Sequence, residues 1–149
     1  MNAVQIRTPI GHLTLTEVGG YLVQVRWRDA TTSDSSPLLE EAARQIAAYL
    51  AGHLKSFDLP LAPAASATAQ TAREVMLAVS YGTTATYGEL AARTGTSPRE
   101  FGQQCGANPL PIIVPCHRVL SARGLGQYSG GDGPRTKAWL LALEGSVLL

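Results

Sequence analysis

Cys116 and His117 stand side by side in the stretch Ile112-Ile113-Val114-Pro115-Cys116-His117-Arg118-Val119, a thiol and an imidazole directly after an apolar run. Cysteine attacks as its thiolate, so a reactive Cys116 needs a group that takes its proton. Adjacent side chains on a strand point to opposite faces. His117 therefore serves only if the chain turns at Pro115-Cys116, or if a water bridges thiol and imidazole. A carboxylate on the far ring nitrogen would fix the tautomer and stabilise the imidazolium. Glu144, at the end of an apolar helix, is the candidate. The alternative reading of the same residues is a buried structural cysteine beside a surface histidine. Zinc fits less well, because Cys105, Cys116, His12, His53 and His117 show no CxxC or HxxxH spacing.

The elements that must position these groups fall into two halves. In residues 3–27 VQIRT, HLTLT and YLVQVRW alternate like strands around the turns TPIG and GG. The pattern predicts a meander with Tyr21, Val23, Val25 and Trp27 on one face. Polar TTSDSS follows, and Ser36-Pro37 reads as the cap and first position of a helix. Its apolar positions Leu39, Ala42, Ala43, Ile46, Tyr49 and Leu50 run up to a stop at Gly52. The Pro- and Ala-rich LPLAPAASATA reads as a linker over 59–69, between domains at 1–58 and 70–149.

The second half opens with a predicted helix over 70–80, with Ala72, Val75, Met76 and Val79 on one face. Two capping boxes follow, Thr86-Tyr87-Gly88-Glu89 before ELAART and Ser97-Pro98-Arg99-Glu100 before FGQQCG. Short helices separated only by Gly95 and Thr96 predict a helix-turn-helix, whose second helix is the usual nucleic-acid reader. After ANPLP, the run IIV reads as a strand leading into Cys116. The loop ARGLGQYSGGDG then precedes a last helix, with Pro134 near its start and Glu144-Gly145 at its end.

Composition narrows the function classes. At 149 residues with 45% hydrophobic and 15% charged residues, the chain reads as a soluble globular protein. A formal net charge of +1 gives no global attraction to nucleic acid, so any such site must be a local patch or a neutral insertion element. Two cysteines make no disulfide framework, the start MNAVQIRTPIG lacks a secretory apolar region, and no run is long enough to span a bilayer. These features predict a cytoplasmic protein with free thiols.

The segment NPLPIIVPCHRV, with TYGELA and GTSPR before it and YSGG and LLALEG after it, resembles the O6-alkylguanine-DNA alkyltransferases. PCHRV is similar to that family's active-site motif, and TPIGHLTLTEVGGYLVQVRW looks like its opening hairpin. The resemblance implies an RNase H-like α/β N-terminal domain followed by a mostly α-helical C-terminal domain with a helix-turn-helix. It implies a suicide protein that moves an alkyl group from O6-alkylguanine, and from O4-alkylthymine, to Cys116 without cofactor or metal. The partner implied is double-stranded DNA, approached from the minor groove by a monomer, and the sequence does not say whether such monomers cooperate on the duplex. A thiol cannot reach the O6 group within the stack, so the base must be rotated out.

Roles carry over by position. His117, through a water, would take the Cys116 proton, and Glu144 would orient His117. Asn108 matches the hinge between recognition helix and active-site segment, and Tyr87 the tyrosine that aids departure of the guanine. Tyr128 and Ser129 match the loop that walls the pocket, while the backbone of Cys116 and Val119 would read the guanine amino edge. Arg118 is expected as a structural hydrogen-bonder and Lys137 as a contact at the pocket rim. Arg99 matches the arginine that enters the space left by the base, with Ser97 and Gly102 also facing DNA. The family's helix usually carries small residues after that arginine. Here Glu100, Gln103 and Gln104 depart from the pattern. A non-catalytic lesion-binding module of the same fold is the alternative, and such relatives lack the acceptor cysteine.

Overall fold

A computed structural model describes residues 1–28 and 34–146. The first three residues of the polar TTSDSS stretch lie outside the described residues. The chain divides into two compact units, Met1–Ala62 and Pro63–Leu149.

In the first unit β1 (Asn2–Thr8), β2 (Gly11–Val18) and β3 (Tyr21–Arg26) form an antiparallel meander. Helix α1 (Pro37–Leu50) packs on it. Ser36 caps α1 by accepting from the Leu39 N–H, and Gly52, at φ 81°, follows its last turn. Leu39, Ala42, Ile46 and Tyr49 are buried together with Leu13, Leu15 and Leu22. Each large side chain withdrawn this way contributes about 1.5–3 kcal/mol.

Strict alternation fails in β3. Leu22 and Val25 are buried while Tyr21 is 49% exposed, so the predicted face of Tyr21, Val23, Val25 and Trp27 is the core face at Val25 but not at Tyr21. The cause is a β-bulge. Thr16 pairs with Gln24 but Glu17 pairs with Leu22, and the extra Val23 reverses which side chains point inward.

The predicted linker is partly structure. The Leu22 N–H donates to Pro60 O and the Ala62 N–H to Leu22 O, so Pro60–Ala62 extends the β3 edge. Ser66 then caps α2 (Ala67–Leu77), which begins and ends three residues before the predicted 70–80. Thr71 Oγ1 bonds back to Ala67 O inside its first turn.

In the second unit α2 is followed by β4 (Ala85–Thr86), α3 (Tyr87–Thr94) and α4 (Pro98–Gly106). Gly95, left-handed at φ 70°, closes α3, and Ser97 opens α4 at once. Only the Ser97–Glu100 capping box is complete. At Thr86 the hydroxyl accepts from the Glu89 N–H, while the exposed Glu89 carboxylate makes no return bond to the cap. β5 (Val119–Leu120) pairs in parallel with β4, and α5 (Pro134–Leu143) ends at Glu144. Among the described residues no helix is long and apolar enough to cross a membrane.

Candidate active site

The segment before Cys116 is a tight turn and not the strand its apolar run suggests. Pro109, Pro111 and Pro115 cannot donate to a ladder. The Val114 N–H instead closes back on Leu110 O at 2.8 Å. Buried Ile112 holds φ 74° within that turn, a costly conformation for a β-branched residue. Asn108 clamps the turn from inside, its Oδ1 accepting from the Leu110 N–H and its Nδ2 donating to Val114 O, both at 3.0 Å.

Pro115, at φ −81° and ψ 63°, makes an inverse γ-turn in which the Cys116 N–H donates to Val114 O at 2.8 Å. A single 3-10 turn, Cys116–Arg118, follows. The chain therefore bends where the sequence required it to, and the extended geometry that would separate thiol and imidazole is absent.

Behind Cys116 lies a buried polar cluster. His117 Nε2 is 2.7 Å from Glu144 Oε2, with both side chains fully buried. Arg118 grips the same carboxylate with two bonds, Nε to Oε1 at 2.8 Å and Nη2 to Oε2 at 3.1 Å. Its Nη1 donates to Val79 O at 2.7 Å, and its guanidinium lies over the Tyr81 ring. The sequence marked Arg118 as structural but gave no sign of this shared carboxylate, because Val79, Arg118 and Glu144 meet only after folding. Burial pushes the His117 imidazole down despite the opposing pull of Glu144, so the ring is neutral at rest. With Nε2–H donating to Glu144, its lone pair lies on Nδ1.

Cys116 is buried at the base of a cavity of about 620 Å³. Its wall includes Tyr87 from α3, Arg99, Gly102 and Gln103 from α4, and Tyr128 and Ser129 from the loop. Burial raises the thiol above its ordinary value, while Asn108, Lys137 and its own backbone N–H pull the other way. The thiol is protonated at rest, and its proton must leave as the reaction begins. Cys105 borders the same cavity but faces Met76, Sγ to Sδ 3.8 Å, and burial followed by the neighbouring Cys116 lifts it to about 12.

Two predicted substrate contacts sit elsewhere. Lys137 is fully buried and not at the rim. Its ammonium donates to Val119 O at 2.6 Å and Gln127 O at 3.1 Å, and lies 3.5 Å from the Tyr87 hydroxyl. The Val119 carbonyl is thus engaged by the lysine, and neither residue borders the cavity. Periodicity could place Lys137 on α5 but could not show that the β4–β5 pair brings carbonyls to meet it. Tyr87, first in α3, is raised to about 12, mainly by burial, and is a neutral phenol. Gly126 went unmarked within its glycine-rich loop. A Cβ there would stand 3.2 Å from both Tyr87 Cε2 and the Ser121 nitrogen, at φ 78°, so the loop closes over Tyr87 only with glycine.

Burial lowers Lys137 to about 8. The unfolded chain then holds one proton more than the folded one between about pH 8 and the ordinary lysine value, so this group adds stability as pH rises. Between pH 7.5 and 9.5, wild type should gain roughly 1–2 kcal/mol relative to Lys137→Met, with partial solvation of the site included. Urea melts of both proteins at the two pH values measure this. A gap that does not change with pH would mean the lysine titrates normally.

Ser97 and Arg99 are exposed at the start of α4, and Gly102 is half-buried, its Cα facing the Tyr87 ring edge. Among the described residues no group of three His, Cys, Asp or Glu side chains is placed to hold a metal ion.

Comparison with known proteins agrees with this geometry. The model of the 6-O-methylguanine DNA methyltransferase DNA binding domain matches residues 67–146, and that of the ribonuclease-like domain matches residues 5–63. The methylated-DNA–protein-cysteine methyltransferase of Methanosarcina acetivorans is 43% identical over 117 residues, covering 76% of this chain and 73% of that protein. The protein of the same name from Mycobacterium bovis is 37% identical over 150 residues, covering 95% of this chain and 90% of its own length. The crystal structure of Mycobacterium tuberculosis O6-methylguanine methyltransferase matches with a TM-score of 0.84 at 36% identity, over 97% of this chain and 92% of that one. A structure of the Mycobacterium tuberculosis protein OGT in complex with DNA gives a TM-score of 0.85 at 36% identity, over 97% and 93% of the two chains. With both halves matched in order and the thiol, imidazole and carboxylate in place, the chain belongs to the methylated-DNA–protein-cysteine methyltransferase family.

Proposed function

We propose that this protein repairs DNA by direct reversal, moving the alkyl group of O6-alkylguanine onto Cys116 in a single turnover. The observation that carries the reading is a cavity that ends at a buried thiol whose neighbour in the chain is a neutral, carboxylate-held imidazole. His117 takes the Cys116 proton through a water, and Glu144 stabilises the imidazolium that results. The thiolate attacks the alkyl carbon, forming the S–C bond as the O6–C bond breaks. The bonding pair stays on the departing guanine, and the Tyr87 phenol is the proton donor at the edge of its site. Asn108 holds the turn that aims the thiol, and Tyr128 and Ser129 on the opposite wall face the base. The thioether is stable, so the protein is consumed. O4-alkylthymine presents the same exocyclic O-alkyl group and is the second substrate.

DNA approaches through α4. Arg99 and Ser97 are exposed at its start and Gly102 allows the helix backbone close contact in the minor groove. The lesion is extruded from the stack into the cavity. The lesion-binding alternative needs no acceptor, whereas Cys116 occupies the cavity floor. Incubation with an excess of duplex carrying O6-methylguanine, followed by intact-protein mass measurement and peptide mapping, tests the reading. One methyl group per chain on Cys116 is expected. An unmodified protein that still binds the duplex would identify a lesion-binding module.

A further inference from the structure

On α4 two polar side chains border the cavity without a hydrogen bond among the described residues, Arg99 and Gln103, and only Arg99 has been given a task above. Phe101 and Cys105 are buried on the inner face, and Ser97 and Glu100 hold each other in the capping box. Gln103 is exposed, and among the described residues it makes no side-chain hydrogen bond. It lies four residues beyond the exposed Arg99, so the two share one face of the helix. Both border the cavity whose other boundary is buried Cys116. The mouth is therefore at Arg99 and Gln103, and the floor is at the thiol.

A nucleotide that enters such a cavity leaves its partner base unpaired in the duplex, and that base meets the mouth. A primary carboxamide presents a donor and an acceptor side by side. It complements the cytosine pairing edge, its oxygen accepting from N4–H while its NH₂ donates to N3. A polar edge covered by protein and left unpaired would oppose extrusion. We propose that Gln103 is a specificity-determining residue that pairs with the base opposite the extruded nucleotide. The inference rests on the extrusion reading above. It also gives a task to a departure from the small residues usual on this helix, one that Arg99, a donor only, cannot perform.

Single-turnover repair of O6-methylguanine is measured in two duplexes, one with cytosine opposite the lesion and one with an abasic position there. Reaction with free O6-benzylguanine is measured alongside. Gln103→Ala should repair the cytosine duplex about tenfold more slowly than wild type, the loss expected for one paired base contact. It should match wild type on the abasic duplex and on the free base. Gln103→Glu, equal in shape but without the donor and with an added charge that disfavours any duplex, should lose more opposite cytosine than opposite the abasic position. Arg99→Ala, in contrast, should slow both duplexes. Equal slowing of both duplexes by Gln103→Ala, or unchanged rates throughout, overturns the inference alone. Faster reaction of Gln103→Ala with the benzylated base also overturns it, and identifies the side chain as a limit on adduct size. If wild type reacts with the free base but repairs neither duplex, the extrusion reading falls and this inference falls with it. Because Gln103 is exposed and unbonded, its variants should fold as wild type does.

Discussion

Cys116→Ser will abolish alkyl transfer while leaving binding to alkylated duplex DNA intact. A serine hydroxyl is far less acidic and less nucleophilic than a thiol, and loss of the nucleophile in a covalent mechanism costs on the order of 10⁶-fold in rate. Cys116 and serine are nearly equal in size, and the surrounding turn is held by Asn108 and by backbone bonds that do not involve the sulfur. The cavity should therefore keep its shape. The variant also tests the second thiol. Cys105 borders the cavity but is held at about 12, and its sulfur packs on Met76. Cys116 is raised by burial too, yet Asn108, Lys137 and its own N–H act on it in the opposite direction. Geometry favours Cys116 as the acceptor, because it is followed in the chain by the carboxylate-held His117 whereas the Cys105 sulfur packs on Met76. Quantifying alkyl uptake by the variant and mapping the modified peptide decides the matter, since label on Cys105 would show two acceptors.

The second large effect concerns the cluster that serves His117. Loss of a positioned base lowers rates by about 10²- to 10⁴-fold, and His117→Gln should fall in that range. Glu144→Gln should cost nearly as much, because it removes the group that fixes the ring and raises its proton affinity. The double variant should be little slower than the worse single one, as for residues that act as a unit. Rates that multiply would show Glu144 to be a structural residue only. Glu144 differs from His117 in stability. Among the described residues it is the only carboxylate that grips buried Arg118, and breaking a buried pair costs about 3–5 kcal/mol. Glu144→Gln should consequently melt well below His117→Gln, so rates are compared at a temperature where both are folded. The neutral state of His117 adds an acid limit. Its folded value lies below the ordinary 6.5, so as pH falls below that value the unfolded chain gains a proton that the folded one refuses, and stability is lost.

Much of this protein was determined by its sequence alone. The hairpin turns, the Ser36 and Ser97 caps and the glycine stops of α1 and α3 are local choices, made within a few residues, and the structure has them where the pattern puts them. Cys116, His117 and Glu144 were legible as a thiol, an imidazole and a helix-end carboxylate because their types are rare together in so lightly charged a chain. What only the tertiary structure decided depends on register or on meetings between distant segments. The bulge at Thr16–Glu17 left Val25 on the expected apolar face of β3 but turned Tyr21 out and Leu22 in, since a one-residue shift reverses the side chains beyond it. The run IIV became a turn with Ile112 at positive φ because Asn108, Leu110 and Val114 bond across it, which no periodicity reports. Lys137 moved from rim to interior for the same reason. Its ammonium is tolerated there only because the carbonyls of Val119 and Gln127, from two separate segments, arrive to accept its protons.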